Sequence, residues 1–227
     1  MRKALSFSLW GNDPKYLIGM QKNIILARRL YPGWEVLVHV NDSKLYYKNA
    51  RTVLLDTSEV SDALFWRIVP ATMDSLFDIV CIRDADSRIS ARERDAVAEW
   101  EESGSALHVM RDHPAHGAPI MGGMWGCRPN LIPENFRDNL MRYRMDLRKK
   151  DADKRGTQPY EGRFGWMSDQ PFLTAALWDT IPAHDRMVHD DYKRYEGARN
   201  FRVPKTTPMD FVGQVYSATD EAKYKCE

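Results

Sequence analysis

Short, almost uninterrupted apolar runs spaced by helical stretches dominate the first half of this chain, and that alternation is its strongest constraint on fold. Ala4–Trp10, Glu35–Val40, Arg51–Leu55, Asp78–Arg83 and Ala106–Met110 each have strand length and strand composition. Between the first two, Leu17, Met20, Ile24, Ala27 and Leu30 recur at helical spacing. Asp13 can cap that helix, Pro14 suits its first turn, and Pro32-Gly33 ends it. Further helices are predicted over Asp62–Met73, interrupted at Pro70, and over Ser90–Glu102, capped by Ser90. Buried strands alternating with helices predict an α/β fold with a mainly parallel central sheet flanked by helices.

The second half loses the rhythm. Ile120–Cys127 holds Gly122, Gly123 and Gly126; Leu131–Lys150 reads as a long helix and Asp169–Leu177 as a short one. The polar stretch from Lys149 to Gly165 reads as a loop, and the remainder as mixed loop and short strand. With no repeat and no linker-like tract, the 227 residues are read as one domain with an irregular C-terminal half.

Composition narrows the class. The 33 basic and 32 acidic residues nearly cancel, which gives no warrant for a nucleic-acid partner. No apolar run approaches the ~18 residues of a membrane span. Gly11-Asn12-Asp13-Pro14 follows the first apolar run at once, without a small-residue cleavage pattern, so that run is read as a strand and not as a signal peptide. Three scattered cysteines, Cys81, Cys127 and Cys226, suit a reducing, cytoplasmic setting. Arg outnumbers Lys by 21 to 12, a skew toward the residue that pairs with carboxylates and phosphates through a planar fork.

Chemistry concentrates where Ile79-Val80-Cys81-Ile82-Arg83 runs into Asp84-Ala85-Asp86. In extended backbone, residues i and i+2 face the same way, so both carboxylates can converge on the crevice beyond the strand's carboxyl end. Hard oxygen donors without Cys or His suit Mg2+ or Mn2+, ions that complete their shells with water and phosphates. The bland reading is that Asp84 and Asp86 cap a turn. Arg83 and Arg88 flank the pair, either as further donors or as balancing charge.

The strand-DxD unit after about three βα units resembles the nucleotide-sugar-dependent glycosyltransferases of the GT-A fold. Four blocks in this order, Trp10-Gly11-Asn12-Asp13-Pro14-Lys15-Tyr16, Arg83 to Arg88, His108 to Pro114 and Gly122-Gly123-Met124-Trp125-Gly126, resemble the small glycosyltransferase domains of bacteria and of large DNA viruses such as chloroviruses. The resemblance implies a GT-A-like domain that binds a nucleotide-sugar donor, in the first place a UDP-sugar, and a glycan acceptor, with 1–110 as its nucleotide-binding βα half and 111–227 as its acceptor and metal half. It implies that Asp84 and Asp86 hold Mn2+ or Mg2+ against the diphosphate, that Leu9, Trp10 and Gly11 meet the nucleobase, and that Arg67 reaches the ribose or diphosphate. A late histidine, His189 with His184 as competitor, would be a third metal ligand.

Other residues carry two readings each. Ser168-Asp169-Gln170 either caps a helix or places Asp169 and Gln170 at the donor sugar, with Asp169 as general base or as a sugar-positioning group. Gly122 and Gly123 are either a tight bend or a surface approached closely by a sugar, with Trp125 in the core or as a stacking platform. Arg111-Asp112-His113-Pro114 follows a strand end and could reach the same crevice, so His113 and His116 are either structural or, His113 first, catalytic. The enzymatic rival is a metal-dependent phosphohydrolase, suggested by DxD and by His184-Asp185 and His189-Asp190; the other is a non-catalytic carbohydrate-binding domain.

Overall fold

A computed structural model of the chain describes residues 1–55, 60–155 and 167–223. Among these residues seven strands, β1 (Lys3–Leu9), β2 (Glu35–Val40), β3 (Arg51–Leu54), β4 (Ile79–Arg83), β5 (Leu107–Arg111), β6 (Met124–Cys127) and β7 (Arg186–Asp190), form one sheet in the order β3-β2-β1-β4-β6-β5-β7. β6 runs antiparallel to both its neighbours and the remaining pairings are parallel. This is the mainly parallel α/β sheet that the alternation predicts, and strands from both halves of the chain share it.

Each face of the sheet is covered because strand side chains alternate. On β4, Ile79 and Cys81 pack toward α1 (Pro14–Leu30) and α3 (Ala91–Ser103), with Met20, Ile24, Val97 and Trp100 in that layer. Val80 and Ile82 face the opposite layer, where Phe65, Phe136, Leu140 and Phe172 come from α2 (Val60–Trp66), α4 (Phe136–Arg155) and α5 (Asp169–Leu173). The caps behave as predicted: Asp13 accepts from the Lys15 amide at 2.9 Å, and Ser90 from the Glu93 amide at 3.1 Å.

Three boundaries differ from the sequence reading. The helix expected to Met73 stops at Trp66 and resumes as one tight turn, Val69–Thr72, whose second residue is Pro70. The long helix begins at Phe136, after Pro133, and runs on to Arg155, into the stretch read as loop; 156–166 lie outside the described residues. Within the glycine-bearing stretch, Gly122-Gly123 form a turn, and Met124–Cys127 continue as the short strand β6, wedged between β4 and β5.

Buried ion pairs hold the irregular C-terminal half. Arg92 grips Asp112 with two bonds of 2.7 and 2.8 Å, and Asp112 also receives Lys205 at 2.9 Å and the Val212 amide at 2.9 Å. Farther along, the Tyr216 amide donates to the Asp86 carbonyl at 2.9 Å and Val215 bridges Ser87, so this segment closes over the DxD turn.

His39, buried on β2, sits with Nδ1 3.0 Å from the Phe7 carbonyl. Burial lowers its pKa from 6.5 to about 4, against the opposing pull of that hydrogen bond. A depressed pKa means stability that is present above the unfolded value and lost as pH falls toward 4. In urea denaturation from pH 7 down to pH 4 the wild type is therefore expected to lose about 3 kcal/mol more stability than His39→Gln; parallel curves for the two would contradict it.

Candidate active site

Because β1, β2 and β4 are parallel, their carboxyl ends share one edge of the sheet, with Phe7 level with Arg83. There β4 exits into Asp84-Ala85-Asp86 and β1 into Trp10-Gly11. Leu9 is buried, Trp10 exposed, and Gly11 turns with a φ of +77°. Arg67, just beyond the end of α2, is anchored on this edge by its amide, which donates to Ser8 Oγ at 2.9 Å.

The Arg67 guanidinium lies between two carboxylates. Nη1 donates to Asp84 Oδ1, and Nη2 to Asp169 Oδ2 at 2.9 Å. Arg67 and Asp169 are 7% and 3% exposed in their side chains, whereas Asp84 is 41% exposed and forms the open side of the cluster. Burial lowers the Arg67 pKa, but the charges of Asp84 and Asp169 outweigh it and hold the guanidinium above its ordinary value. Asp169 is pushed up by burial, with Arg67 pulling the other way and Asp84 adding to the rise. Asp86 is raised by burial and then by the charge of Asp84, and its Oδ2 meets Lys15 Nζ at 3.1 Å.

Gly122 and Gly123 make this packing possible. A Cβ on Gly123 would lie 2.0 Å from Asp84 Oδ2, and one on Gly122 would lie 2.2 Å from Asp169 Oδ2 and 3.0 Å from Arg67 Nη2. The glycine pair is thus the floor on which two of the three carboxylates rest, and the close approach foreseen for a sugar is made by the protein's own acids.

Several expected site residues lie elsewhere. Trp125 is fully buried on β6, so it is core and not a stacking platform. Arg83 turns away from the edge: Nε donates to Glu93 at 2.6 Å and Nη1 to the Trp125 carbonyl at 2.8 Å, both beneath the surface. Arg88 stays at the DxD turn, where Nη1 donates to the Ser87 carbonyl at 2.8 Å and the Asp86 carbonyl at 3.4 Å, and it also pairs with Asp220 at 2.7 Å on the C-terminal segment. His189 is fully buried on β7, with His108 at 2.9 Å on Nδ1 and Glu99 at 3.3 Å on Nε2, so both ring nitrogens are engaged. His184 is 81% exposed beside Asp185. His113 Nδ1 accepts from the Ala115 amide at 3.1 Å, and the ring packs 4.5 Å from Phe211 and 5.6 Å from His116. Gln170 is half-buried next to Asp169.

Among the described residues no three His, Cys, Asp or Glu side chains are grouped to hold a metal ion. A third ligand from His189 is therefore corrected. Asp84 and Asp86 remain a fitting pair for a hard cation: both offer oxygen, and the charge of one raises the pKa of the other, a repulsion that a cation relieves. Lys15 is the site residue that the sequence reading passed over.

No protein-family model and no curated protein matches the chain. Solved structures that match include a glycosyltransferase involved in glycosylation of the major capsid of PBCV-1, at 13% identity, 84% of this chain, 82% of that chain and a TM-score of 0.45. Another is a 4-diphosphocytidyl-2C-methyl-D-erythritol synthase from Anaerococcus prevotii, at 9% identity, 86% and 91% coverage and a TM-score of 0.49. A third is a 2-C-methyl-D-erythritol 4-phosphate cytidylyltransferase from Thermus thermophilus, at 13% identity, 92% and 95% coverage and a TM-score of 0.44. At this distance none of them assigns an activity. No helix among the described residues is long and apolar enough to cross a membrane.

Gly123→Ala is expected to lower stability by about 1–3 kcal/mol, because the new methyl and the Asp84 carboxylate contend for one space. Gly117→Ala is the control, since a Cβ there has no heavy atom within 4 Å. Equal urea midpoints for the two variants would refute the packing argument.

Proposed function

We propose that this chain is a metal-dependent glycosyltransferase that moves a sugar from a nucleoside-diphosphate sugar, a UDP-sugar in the first place, to a hydroxyl of a glycan or similar acceptor. The observation that carries the reading is the pair Asp84 and Asp86 at the carboxyl end of β4, beside the exit of β1, with cationic side chains already drawn to it. Asp84 and Asp86 would hold Mn2+ or Mg2+. When bound, that ion supplies neutralisation of the charge on the departing diphosphate.

The chain's own residues do the rest of the work in this reading. Trp10, exposed where β1 ends, offers its ring to the nucleobase. Arg67, shared between Asp84 and Asp169, fixes the height of the Asp84 carboxylate and brings positive charge to the floor of the donor site. Asp169, buried and committed to Arg67, is a positioning residue acting through that guanidinium, not a free base. The phosphohydrolase alternative finds no support in His184, which is exposed, or in His189, which is buried on both nitrogens.

A thermal-shift panel of UDP, GDP, CDP and ADP, each with and without Mn2+, tests this on wild type and Asp84→Asn. One nucleotide is expected to raise Tm further when Mn2+ is added, an increment equivalent to ~2.7 kcal/mol at a hundredfold excess over Kd. That Mn2+-dependent increment should vanish in Asp84→Asn. No Mn2+-dependent increment with any nucleotide, or one that survives the substitution, overturns the assignment.

A further inference from the structure

One face of α1 is built against the DxD turn. Lys15, Gly19 and Asn23 stand at i, i+4 and i+8, in line along the helix. Gly19 lets the helix touch the turn: a Cβ there would fall 2.0 Å from the Ala85 carbonyl oxygen. Asn23 then clamps it, with Nδ2 donating to the carbonyls of Ala85 at 3.3 Å and Ser87 at 2.9 Å, and Oδ1 accepting from the Ile89 amide at 3.1 Å. The same stripe delivers the Lys15 ammonium to Asp86, with 17% of its side chain exposed and Nζ 4.3 Å from the Tyr16 ring centroid.

The two cations on this edge differ in freedom. Arg67 is locked between two acids and walled in by Gly122. Among the described residues Lys15 has one acidic partner, at the rim, on a flexible four-carbon stem with three donors. An ammonium held this way can exchange its carboxylate for phosphoryl oxygens without disturbing the helix that carries it, because Gly19 and Asn23 fix the helix independently.

We propose that Lys15 is a diphosphate-binding residue: its ammonium rests on Asp86 in the free chain and moves onto the oxygens of a diphosphate when one enters. Asp86 is then both the resting partner and the competitor of the incoming anion. The inference rests on reading this edge as a diphosphate site, and it adds a residue of the chain's own that grips that group.

The experiment is calorimetric titration with inorganic pyrophosphate in EDTA, so that no divalent ion contributes. Lys15→Met is expected to bind pyrophosphate about tenfold more weakly than wild type, the scale of one charge-assisted hydrogen bond. Lys15→Arg, which keeps the charge, should retain most of the affinity. Asp86→Asn should bind more tightly than wild type, because the competing carboxylate is gone, and that gain should disappear in the Lys15→Met background. Wild-type affinity in Lys15→Met overturns the proposal. So does an Asp86→Asn variant that binds no tighter, a result read on a chain whose lysine is intact and so independent of whether Lys15→Met folds. The Mn2+-dependent nucleotide shift is a separate readout: if it fails while the Lys15 effects hold, the glycosyltransferase reading falls alone; if it holds while they fail, the role of Lys15 falls alone.

Discussion

The Arg67 guanidinium is where three separate segments of this chain are tied to one another. Its backbone is fixed to β1 through Ser8, one arm holds Asp84 at the end of β4, and the other holds Asp169 at the start of α5. Removing Arg67 would leave the Asp169 carboxylate buried and uncompensated, a loss of about 3–5 kcal/mol in comparable cases. The glycine floor at 122–123 follows from the same need, since two carboxylates must fit between the cation and the backbone of the segment leading into β6. Sheet, α2 and α5 thus converge on one point whose open side is Asp84.

Paired charge is also how the irregular half is held together. Asp112 receives Arg92, Lys205 and the Val212 amide, and Asp190 pairs with Arg111 at 3.2 Å with both side chains fully buried. Regular hydrogen-bond ladders are scarce beyond β7, so arginine forks and carboxylates fix the path of the chain there. The excess of Arg over Lys finds part of its use in these contacts. The segment they position returns to the DxD turn through Val215, Tyr216 and Asp220, which makes the turn's rigidity depend on both ends of the chain.

Much of the fold was legible because the parallel strands are buried on both faces and so read as continuous apolar runs. Asp13-Pro14 and Ser90 marked two helix starts for reasons of cap chemistry that hold locally. β6 was illegible: four residues with glycines around them carry no periodic signal, and only pairing with β4 and β5 makes them a strand. At the site, alternation along β4 sends Arg83 to Glu93 beneath the surface, a consequence the reading of Arg83 as a flanking donor left out, while Asp84-Ala85-Asp86 form a turn in which the i, i+2 rule of extended backbone no longer applies. His189 illustrates the opposite limit, since nothing in Val188-His189-Asp190 reveals that His108 and Glu99 will occupy its ring. The Lys15-Gly19-Asn23 stripe was present as a spacing of four, yet it has meaning only once the partner of that helix face is known.

The central claim is that Asp84 and Asp86 together make the cation and diphosphate site of this molecule. Its most direct test is a crystal structure with Mn2+ and a nucleoside diphosphate, using the manganese anomalous signal to place the ion. The account expects one peak coordinated by oxygens of both Asp84 and Asp86 and by the diphosphate, with His189 still bonded to His108 and Glu99. A peak held by other residues, or a diphosphate bound away from the carboxyl end of β4, would contradict it.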